Sequence, residues 1–446
     1  MERIFCISAG QLLVKKSNTL INKRNRYLNY GLLSLATILK QNGWNPIQIQ
    51  GLFDSPKKTF EDCKKYGLSN KSRLPVLISI PSFYALSWVN DFISLIKELN
   101  SDIKIVIGGR WVVSGRIDLM KKYIPDADYI VDGIADEKIS GIVQKLSGIS
   151  PDPSPLSKNS SLDYQILHER NLYQPSIEIS RGCGMGCFFC QEKDQPLSGL
   201  KSPKTIVSEA EDIILNDGMN KMNLYFESSM FVPNKKWIDE LVLERNKLSA
   251  KFEWRTESRV DSLNVKHVEG LNEAGLRVID LGLESASKTQ LIKMGKTKNP
   301  DLYLNRASNL LKECFKFGIF VKINILLYAG ETQKTIDETV SWLEEHKRYI
   351  KGVSVGPVIV FGWDSEVSGY IEKLENQGAS RSHSPCVGVN HIDLSEDINY
   401  SKSIEISDEI SKKFMSKEDY YYLKAFSYYS RNYAYEDFLV DMDSKV

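Results

Sequence analysis

The alternation of short apolar runs with amphipathic stretches constrains this chain more than any other feature, and it comes in two sets. In the first set, runs at 4–7, 46–49, 76–80, 103–107 and 129–131 are separated by patterns of helical period, such as Leu32, Leu35, Ala36 and Leu39, or Trp88, Phe92, Ile93, Ile96 and Leu99. Strand, helix and strand at this spacing predict an α/β fold, here an N-terminal doubly wound, Rossmann-like parallel sheet over residues 1–148. Ligands of such sheets bind beyond the carboxyl ends of the strands. Prolines at 151, 153 and 155 among serines predict a linker over 149–165.

A second set begins after the linker, with strand candidates at 176–179, 222–226, 252–255, 278–283, 320–327 and 353–360. Six βα units over 166–375 predict a partial (β/α)6 barrel of TIM type, whose chemistry lies at the carboxyl ends of its strands. Residues 376–446 read as a polar loop around 384–401 followed by a small helical region. Its aromatic stripe of Tyr420, Leu423, Phe426 and Tyr433 has the spacing of a packing face.

Composition narrows the partners. Lys plus Arg (58) nearly balances Asp plus Glu (57), so no net field draws the whole surface to nucleic acid or to an anionic membrane. Small-molecule or peptide substrates suit such a surface better. No apolar run is long enough to span a bilayer. The opening residues lack the pattern of a secretion signal, so a cytoplasmic protein with reduced thiols is expected.

Three of the seven cysteines, Cys183, Cys187 and Cys190, fall within one loop directly after the first strand of the second set. Glycines at 182, 184 and 186 let that loop wrap closely around a bulky ligand. A structural zinc site wants four closed ligands, and no fourth cysteine or histidine lies nearer than His168 and His267. Three thiolates on a four-iron cube leave one iron open for chemistry. Cys6, Cys63, Cys314 and Cys386 are scattered and read as small buried hydrophobes.

The spacing Cys183-x-x-x-Cys187-x-Phe189-Cys190 resembles the signature loop of the radical S-adenosylmethionine (AdoMet) superfamily. The resemblance implies a 4Fe-4S cluster on these cysteines, AdoMet chelated at the open iron, and hydrogen abstraction by a deoxyadenosyl radical. It also implies an electron donor such as flavodoxin or ferredoxin. By the same resemblance, Phe189, Glu227, Ser228, Arg259, Glu284, Ser285, Gly330 and Glu331 bind AdoMet. Glu227 and Ser228 would approach its amino group, Arg259 its carboxylate, Glu284 and Ser285 the ribose, and Gly330 the adenine. Residues 331–332 also read simply as the start of a helix.

Residues 1–145 resemble the cobalamin-binding domains that precede many such barrels. On that resemblance Ser79, Ser82, Gly108 and Gly109 line a cobalamin site, and 54–56 (Asp-Ser-Pro) offers no histidine to ligate cobalt. Cobalamin would make the enzyme a C-methyltransferase acting on a small-molecule or peptide natural-product precursor. Without cobalamin, the same barrel would perform a rearrangement, cyclisation or oxidation. An RNA-modifying enzyme is the lesser alternative, resting on Lys15, Lys16, Lys23, Arg24 and Arg26, a run that also reads as a solvated loop.

Overall fold

The computed structural model describes residues 2–11, 21, 24–151, 161–216, 218–219, 223–384, 386–429 and 432–443. Its chain packs as two compact units, the first running to Tyr173 with short later segments near Met219 and Phe438, the second beginning at Gln174.

The first unit is a five-stranded parallel sheet of β1 (Ile4–Ser8), β2 (Pro46–Gln50), β3 (Val76–Ser79), β4 (Ile105–Gly108) and β5 (Tyr129–Ile130), in the order β2-β1-β3-β4-β5. Every residue of β1 and β2 is buried, as expected of strands covered on both faces. The order reverses between β1 and β3, and such switch points open a crevice at the carboxyl edge. Asn29 caps the helix Tyr30–Gln41, its Oδ1 accepting from Leu32 N, while its Nδ2 donates to Ser8 Oγ and Ser79 Oγ across that switch point.

The expected linker over 149–165 lies largely outside the described residues. The expected start of the barrel at 166 is corrected: Leu167 bridges to Gln48, and His168 N donates to Gln48 O, so this stretch packs on the edge of the first sheet. Lys15, Lys16 and Lys23 also lie outside the described residues. Arg24 and Arg26 pair with Asp441 and Glu169, so these members of the basic run are already partnered by carboxylates.

The second unit holds six parallel strands in simple sequence order: β6 (Ser176–Glu178), β7 (Leu224–Glu227), β8 (Trp254–Arg259), β9 (Leu276–Glu284), β10 (Phe320–Leu327) and β11 (Gly352–Pro357). Among the described residues β6 and β11 are unpaired on their outer sides, so the barrel is partial, as the six units predicted. Several of its helices start at a side-chain cap, Ser202 and Asn299 each preceding a proline at the first helical position.

The strand expected over 353–360 is two. Pro357 lacks an N–H to continue the ladder, and the chain leaves the barrel for β12 (Ile359–Phe361). This strand joins β13 (Ser380–Ser382) and β14 (Val389–Asp393) in an antiparallel sheet, order β12-β14-β13. Thus part of the expected polar loop is strand. The aromatic tail packs as predicted: Leu423 and Phe426 bury against Val278 and Phe320, at the amino ends of β9 and β10. Arg255 Nη1 reaches Ser427 Oγ at 2.9 Å from the barrel side. Among the described residues no helix is long and apolar enough to cross a membrane.

Candidate active site

The cysteine loop leaves the carboxyl end of β6. Gly182, Gly184 and Gly186 all have positive φ (74°, 68° and 68°), the conformation that favours glycine. At Gly182 a side chain would also meet Pro196 O at 2.2 Å, because the loop folds back on itself and Cys183 N donates to Gln195 O.

Cys187 is buried, while Cys183 and Cys190 are partly exposed. Burial raises the Cys190 thiol, and the neighbouring Cys183 and Cys187 raise it further, so the three sulfurs share one electrostatic environment. Two donors point at this group: Arg259 Nη1 to Cys187 Sγ at 3.1 Å and Glu192 N to Cys190 Sγ at 3.4 Å. Among the described residues no three His, Cys, Asp or Glu side chains converge on one metal ion. A cube makes no such demand, since each thiolate takes a different iron. Three thiolates on a glycine loop, with N–H donors on their sulfurs, fit a 4Fe-4S cluster.

The strand-end residues sort into two groups. Glu227 and Glu284 are the last residues of β7 and β9, and both are only partly buried. Burial pushes Glu227 up to about 7, with Glu178 and Glu257 adding to the rise and a hydrogen bond from Ser176 Oγ opposing it. Glu284 is one of three non-glycine residues with positive φ (67°) among the described residues, and its pairing with β10 also slips register. Strained backbone at a strand end is typical of functional sites. Its Oε1 accepts from Lys296 Nζ at 2.9 Å.

The other group is buried and braces the loops. Ser228 Oγ pairs with Ser180 Oγ at 2.6 Å, tying the end of β7 to the start of the cysteine loop. Ser285 Oγ meets Thr339 Oγ1 at 3.1 Å and accepts from Ser287 N. Glu331 is 2% exposed and accepts from Tyr328 N and Thr335 Oγ1, holding the turn before the helix Gln333–His346. Burial pushes Glu331 up to about 7, against its hydrogen bonds. Gly330 has φ 69°, and a side chain there would meet Lys293 Nζ and Gln377 O. Phe189 stands edge-on to Tyr328, ring centres 6.5 Å apart.

Arg259 is placed differently from the expectation. Its fork is taken by Asp261, Nε to Oδ1 at 2.9 Å and Nη2 to Oδ2 at 3.1 Å, while Nη2 also donates to Lys296 O at 2.7 Å. Sequence reading missed Lys296, a lysine only 6% exposed, paired with Glu284 and with its ammonium 5.9 Å above the Phe189 ring. In a Gly-Lys turn after a helix nothing marks such a lysine as buried. Asp261, two residues beyond Arg259, was open to notice as a neighbour of like spacing.

Cys6, Cys63 and Cys314 are buried, and desolvation pushes Cys6 and Cys314 up to about 12, as inert thiols should be. Cys386 is only partly buried, which corrects its reading as a core residue.

In the first unit, Ser79 and Gly108 close β3 and β4 at the switch-point edge. Among the described residues a side chain at Gly108 would meet only Val131, at 3.8 Å. Ser82 caps a short turn, accepting from Tyr84 N. At Gly109 the missing side chain has a local cause, since a Cβ would lie 2.4 Å from Ile80 O. Ser55 caps the helix Pro56–Lys65, and Asp54 O accepts from Trp88 Nε1. Trp111 lies under the Arg110 guanidinium, 4.4 Å from its ring centre. Gln50, 5% exposed and in register with Ser8, has an amide Nε2 with no partner among the described residues. An orphaned donor and an open glycine at this edge fit the amide-bearing rim of a corrin.

Residues 177–343 match the Radical SAM superfamily. An uncharacterised methyltransferase of Pyrococcus horikoshii is 23% identical over 279 residues, covering 56% of this chain. The match spans 59% of that relative's length. Among solved structures, the radical AdoMet methyltransferase TsrM from Kitasatospora setae, with tryptophan and an AdoMet analogue bound, is similar at TM-score 0.60 and 15% identity, over 80% of this chain and 73% of that one. The cobalamin-dependent AdoMet radical enzyme OxsB, with aqua-cobalamin and AdoMet bound, is similar at TM-score 0.57 and 15% identity, over 93% of this chain and 62% of that one. At such identities the likeness speaks to the fold alone.

Proposed function

We propose, from the match of residues 177–343 to the Radical SAM superfamily, that this chain cleaves AdoMet reductively and transfers a methyl group with the help of cobalamin. The observation that carries the reading is the glycine-wrapped loop of Cys183, Cys187 and Cys190, whose sulfurs receive N–H donors from Arg259 and Glu192. The methyltransfer part rests on the open switch-point edge of the first unit and on the methyltransferase and cobalamin named for the similar proteins. When bound, the cluster supplies the electron for AdoMet cleavage and cobalamin the methyl carrier.

The chain's own residues bind and orient. Glu227, ionised, suits the AdoMet ammonium, and Glu284 suits the ribose hydroxyls. Lys296 suits the carboxylate, as a cation already held in the mouth by Glu284. Ser228, Ser285 and Glu331 hold the loops that carry these groups, and Gly330 keeps the turn at the end of β10 narrow. Ser79, Gln50 and Gly108 would face the corrin. The substrate proposed is a small molecule or peptide, and the reductant a flavodoxin or ferredoxin.

Anaerobic reconstitution followed by iron, sulfide and cobalt analysis tests both halves. Cys183→Ala, Cys187→Ala and Cys190→Ala should each abolish AdoMet cleavage, with Cys6, Cys63, Cys314 and Cys386 dispensable. Cleavage retained in Cys187→Ala would defeat the cluster assignment. A parent that binds iron and sulfide but no corrin would defeat the methyltransferase half and leave the cobalamin-free chemistry.

A further inference from the structure

Arg259 sits in the candidate site with its donors already distributed. Nε and Nη2 form a two-point pair with the Asp261 carboxylate, Nη2 also meets Lys296 O, and Nη1 points at Cys187 Sγ at 3.1 Å. The side chain is 7% exposed, and Asp261 is 17% exposed. From behind, Tyr303 fixes the position, its ring 5.8 Å from the guanidinium carbon and its hydroxyl donating to Gly282 O at 2.9 Å. A guanidinium is planar with five donors on two edges that can each take a carboxylate. Here the Nη1/Nη2 edge is occupied by Cys187 Sγ and Lys296 O, so a single carboxylate is bound, on the Nε/Nη2 edge. That carboxylate is Asp261.

We propose that Arg259 is a positioning residue for the cluster: it holds the Cys187 sulfur by an N–H···S hydrogen bond and sets the cluster's reduction potential, with Asp261 tempering its charge. This deepens the radical AdoMet reading and rests on it. A hydrogen bond and a positive charge on a cluster thiolate favour the reduced, more negative cluster, so they raise the potential. Asp261, held against the same guanidinium, offsets part of that charge. The pair therefore acts on the cluster in opposite directions, which damage to the fold would not do.

The test uses the full chain, reconstituted anaerobically, with the midpoint potential read by EPR redox titration and AdoMet affinity by equilibrium dialysis. Arg259→Gln should shift the midpoint to more negative values, and Asp261→Asn should shift it to more positive values. AdoMet affinity should change less than about threefold in Arg259→Gln but fall at least tenfold in Lys296→Met, in which the cation is removed. If Arg259→Gln leaves the potential unchanged and loses AdoMet affinity tenfold, Arg259 is the carboxylate partner and the proposal is wrong. If Arg259→Gln takes up no cluster, Asp261→Asn still decides, since an unchanged or more negative midpoint there overturns the proposal. A parent without iron and sulfide fails the underlying reading instead, and is recognised by analysis before any titration.

Discussion

Replacing Glu331 by glutamine should stabilise the second unit, and should do so only above a certain pH. Glu331 is almost fully enclosed, and burial lifts its carboxyl from 4.5 to about 7. The folded state therefore holds a proton that the unfolded chain has released between those two values. Stability from this group is fully present below about 4.5 and is lost as pH rises through about 7. At about 1.4 kcal/mol per tenfold difference in proton affinity, the ionised form costs on the order of 3 kcal/mol above that window. Glutamine avoids the charge and keeps the contacts: its Oε1 can accept from Tyr328 N, and its Nε2 can donate to Thr335 Oγ1, whose own hydrogen turns to Thr332 O at 2.9 Å. Hydrogen exchange of the β10 and Gln333–His346 amides reads this unit alone, without requiring the whole chain to unfold in one step. Glu331→Gln and parent should match near pH 5 and diverge in favour of the variant toward pH 8.5. Other titrating groups cancel in the comparison. A difference that is independent of pH, or a parent more stable at pH 8.5, would refute the reasoning.

Three further predictions concern the same site chemistry and the glycines of the first unit. Because burial and the neighbouring Glu178 and Glu257 push Glu227 up to about 7, AdoMet affinity should weaken as pH falls from 8 to 6, and Glu227→Gln should flatten that dependence. Equilibrium dialysis at three pH values checks this, and an equally steep profile in the variant removes Glu227 from AdoMet recognition. Gly108→Val should lower the cobalt-to-protein ratio after hydroxocobalamin loading and gel filtration while leaving the iron content intact. Gly109→Val should instead destabilise the first unit even without cofactor, through its contact with Ile80 O, and a normal melting profile for it would contradict that packing.

Much of this protein was legible along the chain, and the reasons are local. Strand Ile4–Ser8 announced itself because a fully buried parallel strand needs a nearly continuous apolar run, and Phe320–Leu327 because its buried Val321, Ile323, Ile325 and Leu327 recur at every second residue. The cysteine loop was legible because its ligands lie within one turn of backbone, so covalent spacing alone brings them together. The second unit's start was misplaced because residues 164–173 are neither strongly periodic nor apolar, and their attachment to Gln48 is a contact between distant parts of the sequence.

The roles within the site divide along the same line. Sequence by itself determined that Glu227, Glu284 and Gly330 follow closely on apolar strand runs, because those runs are local in the chain; that β8 extends as far as Arg259 was decided by its pairing with β9. Only the tertiary structure decided which way each side chain serves: Glu227 beside Ser176, Glu284 onto Lys296, Ser228, Ser285 and Glu331 into buried braces, and Arg259 onto Asp261 and Cys187. The physical reason is that a polar side chain leaving water must find a partner within hydrogen-bond reach. Whether that partner is a ligand or a neighbouring loop depends on packing between segments that the sequence places far apart.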